Sequence, residues 1–179
     1  ALEADQPVSV GGLMEAQVNG KEESRITLNT SMRLDYQRRT IHHELNHQFS
    51  REWEERNQRD RKWARFNSTS VLNPYRPVPA GTYADTPTDD RRFLTLFAGS
   101  SAADDQAISA ERMMTPRLHA DFLDRIENEK DENIKATLVA KYNETIDTYK
   151  RWSGGKMDEA FWERIAEQGK KERQKLPKG

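Results

Sequence analysis

The chain contains no cysteine. That removes a disulfide framework, thiolate metal ligands and a cysteine nucleophile, and leaves the redox compartment open. No apolar run approaches the roughly eighteen residues a membrane-spanning helix needs. An excess of charge of one sign is missing too: 29 Lys and Arg stand against 30 Asp and Glu, for a formal net charge of −1. Non-specific binding to nucleic acid or to an anionic membrane is therefore not expected. Hydrophobic residues are 34% and charged residues 33% of the 179. This balance supports a modest core under an extensive solvated surface, in one domain with an appended helical arm.

Glycine and proline are scarce and unevenly spread, which organises the chain. Residues 1–24 hold Pro7, Gly11, Gly12 and Gly20 and read as irregular or hairpin-like. "SRITLNTSM" (24–32) alternates Ile26 and Leu28 with polar neighbours, the pattern of a short strand near 24–30. From Leu34 to Phe66 neither Gly nor Pro occurs, and the pattern suits one long helix. Residues 67–90 contain Pro74, Pro77, Pro79, Pro87 and Gly81, a loop too long to be only a connector. Beyond Phe93 helices are expected at 102–114, closed by Pro116, then at 117–128, 131–152 and 157–173, with "SGG" (153–155) as a break. Phe122, Ile126, Ile134, Leu138, Tyr142 and Ile146 mostly recur at fours, an amphipathic pattern. The expected fold is α+β and mostly helical, divided at residue 153 between a main domain, 1–152, and a C-terminal helix with a basic tail, 153–179.

Four histidines are present, and three lie in "TIHHELNHQF", which contains His43-Glu44-Leu45-Asn46-His47, an H-E-x-x-H. On a helix, residues four apart share a face, so His43 and His47 can both point at one ion. A zinc ion would sit about 2.0–2.1 Å from such imidazole nitrogens. Glu44, rotated by about 100° from His43, is placed to take a proton from the ion's water, whose pKa zinc lowers towards about 7. Ile41, Leu45, Phe49 and Trp53 form a second stripe, roughly 200° round from the histidines. One side of the helix is thus expected to pack on the core while the other lines a site. His42 reads as packing or as support for the ligands, and His119, after the Pro116 break, as structural or exposed.

Two histidines leave a catalytic zinc short of a ligand, and the residues after His47 supply no third one at the metzincin spacing. A carboxylate from a later helix remains, and the best stretch is "FLTLFAGSSAADDQAISAERMM" (93–114). Asp104, Asp105 and Glu111 are the candidates. Both aspartates also suit helix capping, because acidic groups at a helix start meet free N–H groups and the favourable dipole.

These residues resemble those of the gluzincin metallopeptidases, including the catalytic domain of anthrax lethal factor and zinc metallopeptidase-like lipoproteins of bacterial envelopes. "RRTIHHELNHQF" is similar to their T-x-H-H-E-x-x-H helix, "SRITLNTS" to the neighbouring edge strand, "VLNPYRPV" to the Asn-Pro loop, and "FLTLFAGSSAADDQAISAERMM" to the helix of the third ligand. The resemblance spans roughly residues 24–150 and implies a zincin-like domain hydrolysing peptide bonds. His43, His47 and Asp104 would be zinc ligands, Glu44 the general base, and Ala107 the small residue at a close helix approach. It also implies a peptide or protein substrate paired with the edge strand near Ile26–Thr30, and an exported or cell-envelope location. Three positions depart from the family. Asp104 stands where it has glutamate, one methylene longer. Phe97 replaces a tyrosine that polarises the substrate carbonyl, and a phenyl ring donates no hydrogen bond. Ile108 replaces a glutamate, which removes a carboxylate expected behind the ligands. Tyr83 or Tyr75 in the long loop could replace the phenol. The missing phenol and carboxylate also fit an alternative, a zinc- or peptide-binding pseudoenzyme without hydrolytic activity.

The remaining features read more plainly. "EWEERNQRDRKWARF" (52–66) interleaves charges as a solvated face does, and Trp53, Trp63 and Trp152 read as core. Phe161, Trp162 and Ile165 give the last helix an apolar side that docks back on the domain before a frayed basic tail.

Overall fold

The computed structural model describes residues 12–15, 25–28, 31, 33–48, 53–68, 74–79 and 85–175. Six helices dominate these residues: α1 Leu34–Gln48, α2 Trp53–Asn67, α3 Ala102–Met114, α4 Pro116–Asn128, α5 Glu132–Trp152 and α6 Glu159–Gln174. Two short strands, β1 Gly12–Glu15 and β2 Arg25–Leu28, pair antiparallel, with Leu13 opposite Thr27 and Met14 opposite Ile26. Both strands touch α1.

The long helix expected over 34–66 is two helices, α1 and α2, with residues 49–52 outside the described set. Absence of Gly and Pro permits a continuous helix but does not require one, because tertiary packing decides most helical stability. Here α1 packs on α3 and the two strands, whereas α2 packs on α3 and α5.

The four later helices start where their capping residues dictate. Ser101 Oγ accepts a hydrogen bond from Asp104 N to open α3. Pro116 occupies the first turn of α4, where its missing N–H costs nothing. Asp131 accepts from the Asn133 and Ile134 amides at α5, and Asp158 accepts from the Phe161 amide at α6. Gly154 and Gly155 take φ of 61° and 86°. That left-handed backbone turns the chain between α5 and α6 and suits glycine for want of a Cβ.

Helix α3 is the hub. It contacts each of the other five helices and is buried from Asp105 through Glu111. Ile108, Ala110 and Met113 of α3, Phe122 of α4, Leu138 of α5 and Trp162 of α6 belong to one cluster of buried side chains. Helix α6 therefore shares the main core. Gly169 of α6 lies so close to α4 that a Cβ there would come within 1.8 Å of Pro116 O. Burial of Trp63 agrees with the core reading and burial of Trp162 with the docking of the last helix, while Trp152 is half-buried under the Arg59 guanidinium, 4.7 Å from its ring. The expectation of a solvated α2 needs correction at Arg59, which is buried, and at Asp60, which accepts a hydrogen bond from Gln106 of α3. None of the described helices is long and apolar enough to cross a membrane.

Candidate metal centre

Helix α1 turns its polar side inwards. Thr40, His43 and Asn46 are its buried residues, and Ile41 and Leu45 are only half-buried. The expected division between an apolar core face and a histidine face is therefore reversed. The histidine side packs against α3, and the Ile41–Leu45 side is the less buried one. Phe49 and the Trp53 side chain, the rest of that stripe, lie outside the described residues. Burying polar groups is costly unless they find partners, and α3 together with the turn before it supplies them.

Asp104 comes to His47. Its Oδ1 lies 3.8 Å from His47 Nε2. Its Oδ2 accepts hydrogen bonds from Ser100 Oγ at 2.5 Å and Ser101 Oγ at 2.7 Å. The capping reading and the ligand reading of Asp104 are thus compatible. The Asp104 amide is capped by Ser101 Oγ, one carboxylate oxygen takes the two serine hydroxyls, and the other faces the histidine. His43 and His47 stand with ring centroids 5.0 Å apart and planes inclined by 76°. Taking one ligand atom each from His43, His47 and Asp104, all three lie within 4.8 Å of one another.

The surroundings suit a cation. Burial, reinforced by the neighbouring His43, pushes the His47 pKa down to about 4, so its imidazole is neutral near pH 7 and keeps a lone pair. Glu44 is half-buried, and burial raises its pKa above the usual carboxylate range against the opposing pull of His43, with Asp104 adding to the rise. Two imidazoles and one oriented carboxylate are a donor set that zinc and similar divalent ions accept.

The other candidates for the third position are committed elsewhere. Asp105 is fully buried, with Oδ2 2.8 Å from Lys141 Nζ. It also accepts from Asn67 Nδ2 at 2.9 Å and from the Tyr75 hydroxyl at 3.3 Å. Lys141 in turn donates to Arg92 O at 2.7 Å. Asp105 therefore ties α2, α5 and the loop before α3 together from the far side of the helix. Glu111 Oε1 accepts from Arg39 Nε at 2.7 Å, and its Oε2 lies 3.3 Å from His43 Nδ1. It stands behind the histidine instead of joining the group of three.

That placement corrects one expectation: a carboxylate does sit against a histidine of the pair. It comes from Glu111, three residues beyond Ile108, and Ile108 is wholly buried in the core. Phe97 does lie beside the site, its ring 6.0 Å from that of His43. Tyr75 does not replace its missing hydroxyl. The Tyr75 phenol is spent on Asp105, and burial beside that carboxylate raises its pKa. Tyr83 lies outside the described residues. His42 is half-buried, and burial lowers its pKa against the pull of Glu111. His119 is structural: it is wholly buried, with Nε2 3.1 Å from the Tyr142 hydroxyl and its ring 6.0 Å from that of Trp162.

Ser100, Ser101 and Arg39 are site residues that the sequence pattern did not single out. Two signals for them were present. Ser101-x-x-Asp104 is a capping-box spacing, and Arg39 precedes His43 by four residues, on the same helix face. The chain matches no family model, no curated protein and no solved structure.

Proposed function

We propose that the chain is a zinc-dependent metallopeptidase in which His43, His47 and Asp104 hold the ion and Glu44 is the general base. The observation that carries this reading is the convergence of the three ligand groups within 4.8 Å across two helices far apart in sequence. Glu44 sits on the same turn as His43 and feels both His43 and Asp104. When bound, zinc would polarise the attacking water and the scissile carbonyl and stabilise the charge that develops on them. Glu44 takes the water's proton and passes it to the leaving amine, a role that a carboxyl of raised pKa fills nearer neutrality than an ordinary one. Asp104, held through Oδ2 by two serine hydroxyls, keeps Oδ1 turned toward His47, where it would serve as a ligand. The substrate is an extended peptide or protein segment added to the edge of β2, whose neighbour α1 carries the site.

Phe97 favours a second reading. With a phenyl ring beside His43 and the Tyr75 hydroxyl committed to Asp105, neither Phe97 nor Tyr75 offers a phenol to the substrate carbonyl. A zinc-binding domain that holds peptides without cutting them accounts for that. The decisive experiment compares the zinc-loaded protein with its Glu44→Gln variant on a peptide library. Cleavage by the first and none by the second supports the peptidase. Zinc and peptide binding by both, with cleavage by neither, supports the pseudoenzyme.

A further inference from the structure

Behind the group of three runs a line of charged side chains that the proposed reaction does not use. Arg39, His43 and His47 follow one another at intervals of four along α1, so they share a face. Arg39 Nε donates to Glu111 Oε1 at 2.7 Å, and Nη2 bonds the same oxygen. On its other side Arg39 clasps Asp85 with two bonds, Nη1 to Oδ2 at 2.7 Å and Nη2 to Oδ1 at 2.6 Å. Its guanidinium also lies 5.1 Å from the Tyr36 ring centroid. Glu111 is 3% exposed, and its second oxygen, Oε2, faces His43 Nδ1 at 3.3 Å. That nitrogen is buried and has no aligned hydrogen-bond partner among the described residues.

We propose that Asp85, Arg39 and Glu111 form a positioning chain that fixes the tautomer and rotation of the His43 ring. The inference rests on the metal-site reading for its purpose but not for its geometry. A buried carboxylate is expensive to leave uncompensated, and an arginine that grips one of its oxygens with two N–H groups, while forked onto Asp85, holds it ionised and in one orientation. Glu111 so held has Oε1 filled by Arg39, and only Oε2 remains for His43. Accepting the Nδ1 proton there leaves the other ring nitrogen, Nε2, with the lone pair a cation needs. Carboxylates in this position fix ring orientation and raise ligand basicity. Arg39 acts through Glu111 and does not serve as a substrate-binding cation, because both faces of its fork are taken. Asp85, from the loop before α3, is the exposed end of the chain and ties that loop to the site.

The test uses nitrogen-15-labelled full-length protein in two assays. Imidazole NMR of the zinc-free protein reads the His43 tautomer, and competition against a chromophoric chelator reads zinc affinity. Wild type is expected to carry the His43 proton on Nδ1. Glu111→Gln is expected to fold, to lose that tautomer preference and to bind zinc about 10- to 100-fold more weakly. Asp85→Asn, at an exposed position, is expected to shift the His43 resonances and weaken zinc in the same direction by a smaller factor, with Asp85→Glu restoring both. A mixed tautomer in wild type, or unchanged resonances and affinity in both Glu111→Gln and Asp85→Asn, overturns the proposal. Should Glu111→Gln not fold, Asp85→Asn decides alone by the same two readouts. A wild-type ring protonated on Nδ1 in a protein that takes up no zinc supports the positioning chain while contradicting the metallopeptidase reading, so the two fail separately.

Discussion

Asp104 and Asp105 are neighbours in the chain and face opposite ways: Asp104 Oδ1 lies 3.8 Å from His47 Nε2, and Asp105 Oδ2 lies 2.8 Å from Lys141 Nζ. Successive residues of a helix point about 100° apart, which is enough here to send one carboxylate to the candidate metal centre and the other into the core. Substitutions at the two positions should therefore separate metal binding from stability. Asp104→Asn keeps an acceptor for Ser100 and Ser101 and should cost about 1 kcal/mol or less in the zinc-free protein, while zinc affinity falls sharply. Asp105→Ala should show the reverse order of effects, with fold stability lost first. Thermal unfolding of the zinc-free variants, beside zinc titration of each, makes the comparison.

The buried pair yields a sharper prediction. Lys141→Met leaves Asp105 as an unpaired charge and should cost about 3–5 kcal/mol. Neutralising both partners, with Asp105→Asn added to Lys141→Met, should recover most of that loss, because Asn67 and Tyr75 can still bond the amide. Denaturant unfolding of the wild type, the single variant and the double variant measures it. A double variant no more stable than the single one would show that the pair is not the source of the cost.

Close approach of α6 to α4 makes Gly169 intolerant of a side chain. Gly169→Ala pushes a methyl group against Pro116 O and should destabilise by about 1–3 kcal/mol, the usual range for overpacking. The fluorescence of Trp162, buried in the same helix, should shift as α6 lifts. Unchanged unfolding temperature and fluorescence would contradict the packing described for the last helix.

Acid sensitivity should come partly from His119. Burial lowers its pKa from an ordinary 6.5 to about 4. In the unfolded chain the ring takes up a proton below about 6.5, while in the folded protein it stays neutral until about 4. Its stabilising effect is then full above about 6.5 and is lost progressively as the pH falls to about 4. His119→Gln should flatten the stability profile of the zinc-free protein over that window. Denaturant unfolding at intervals of pH checks this, and an equally steep profile in the variant would rule out His119 as a source.

Local signals carried much of this architecture. Ser101, Pro116, Asp131 and Asp158 mark helix starts that short-range chemistry alone decides, and α3 to α6 begin within two residues of where the sequence puts them. Helical spacing brings His43 and His47 together, but the residues alone left Asp104, Asp105 and Glu111 open as the third group, and only the register of the motif in the metallopeptidases the chain resembles favoured Asp104. What could not be read was which polar groups meet across the core. Glu111 and Arg39 are 72 residues apart, and Asp105 and Lys141 are 36 apart, so no spacing rule pairs them. The same ignorance misassigned the buried face of α1. Apolar periodicity pointed to Ile41 and Leu45, but the partners waiting on α3 and before it made the polar side the one to bury. It also hid the end of α1, since beyond their shared contact with α3 the two helices take different neighbours, without a Gly or Pro between them.

The measurement that bears most directly on the central claim is an anomalous-difference map at the zinc absorption edge, from crystals of the full chain grown with zinc. One strong peak is expected at about 2.0–2.2 Å from a nitrogen of His43, a nitrogen of His47 and an oxygen of Asp104, with Glu111 outside bonding distance. A map with no peak there, or one whose peak is held by other side chains, would contradict that claim.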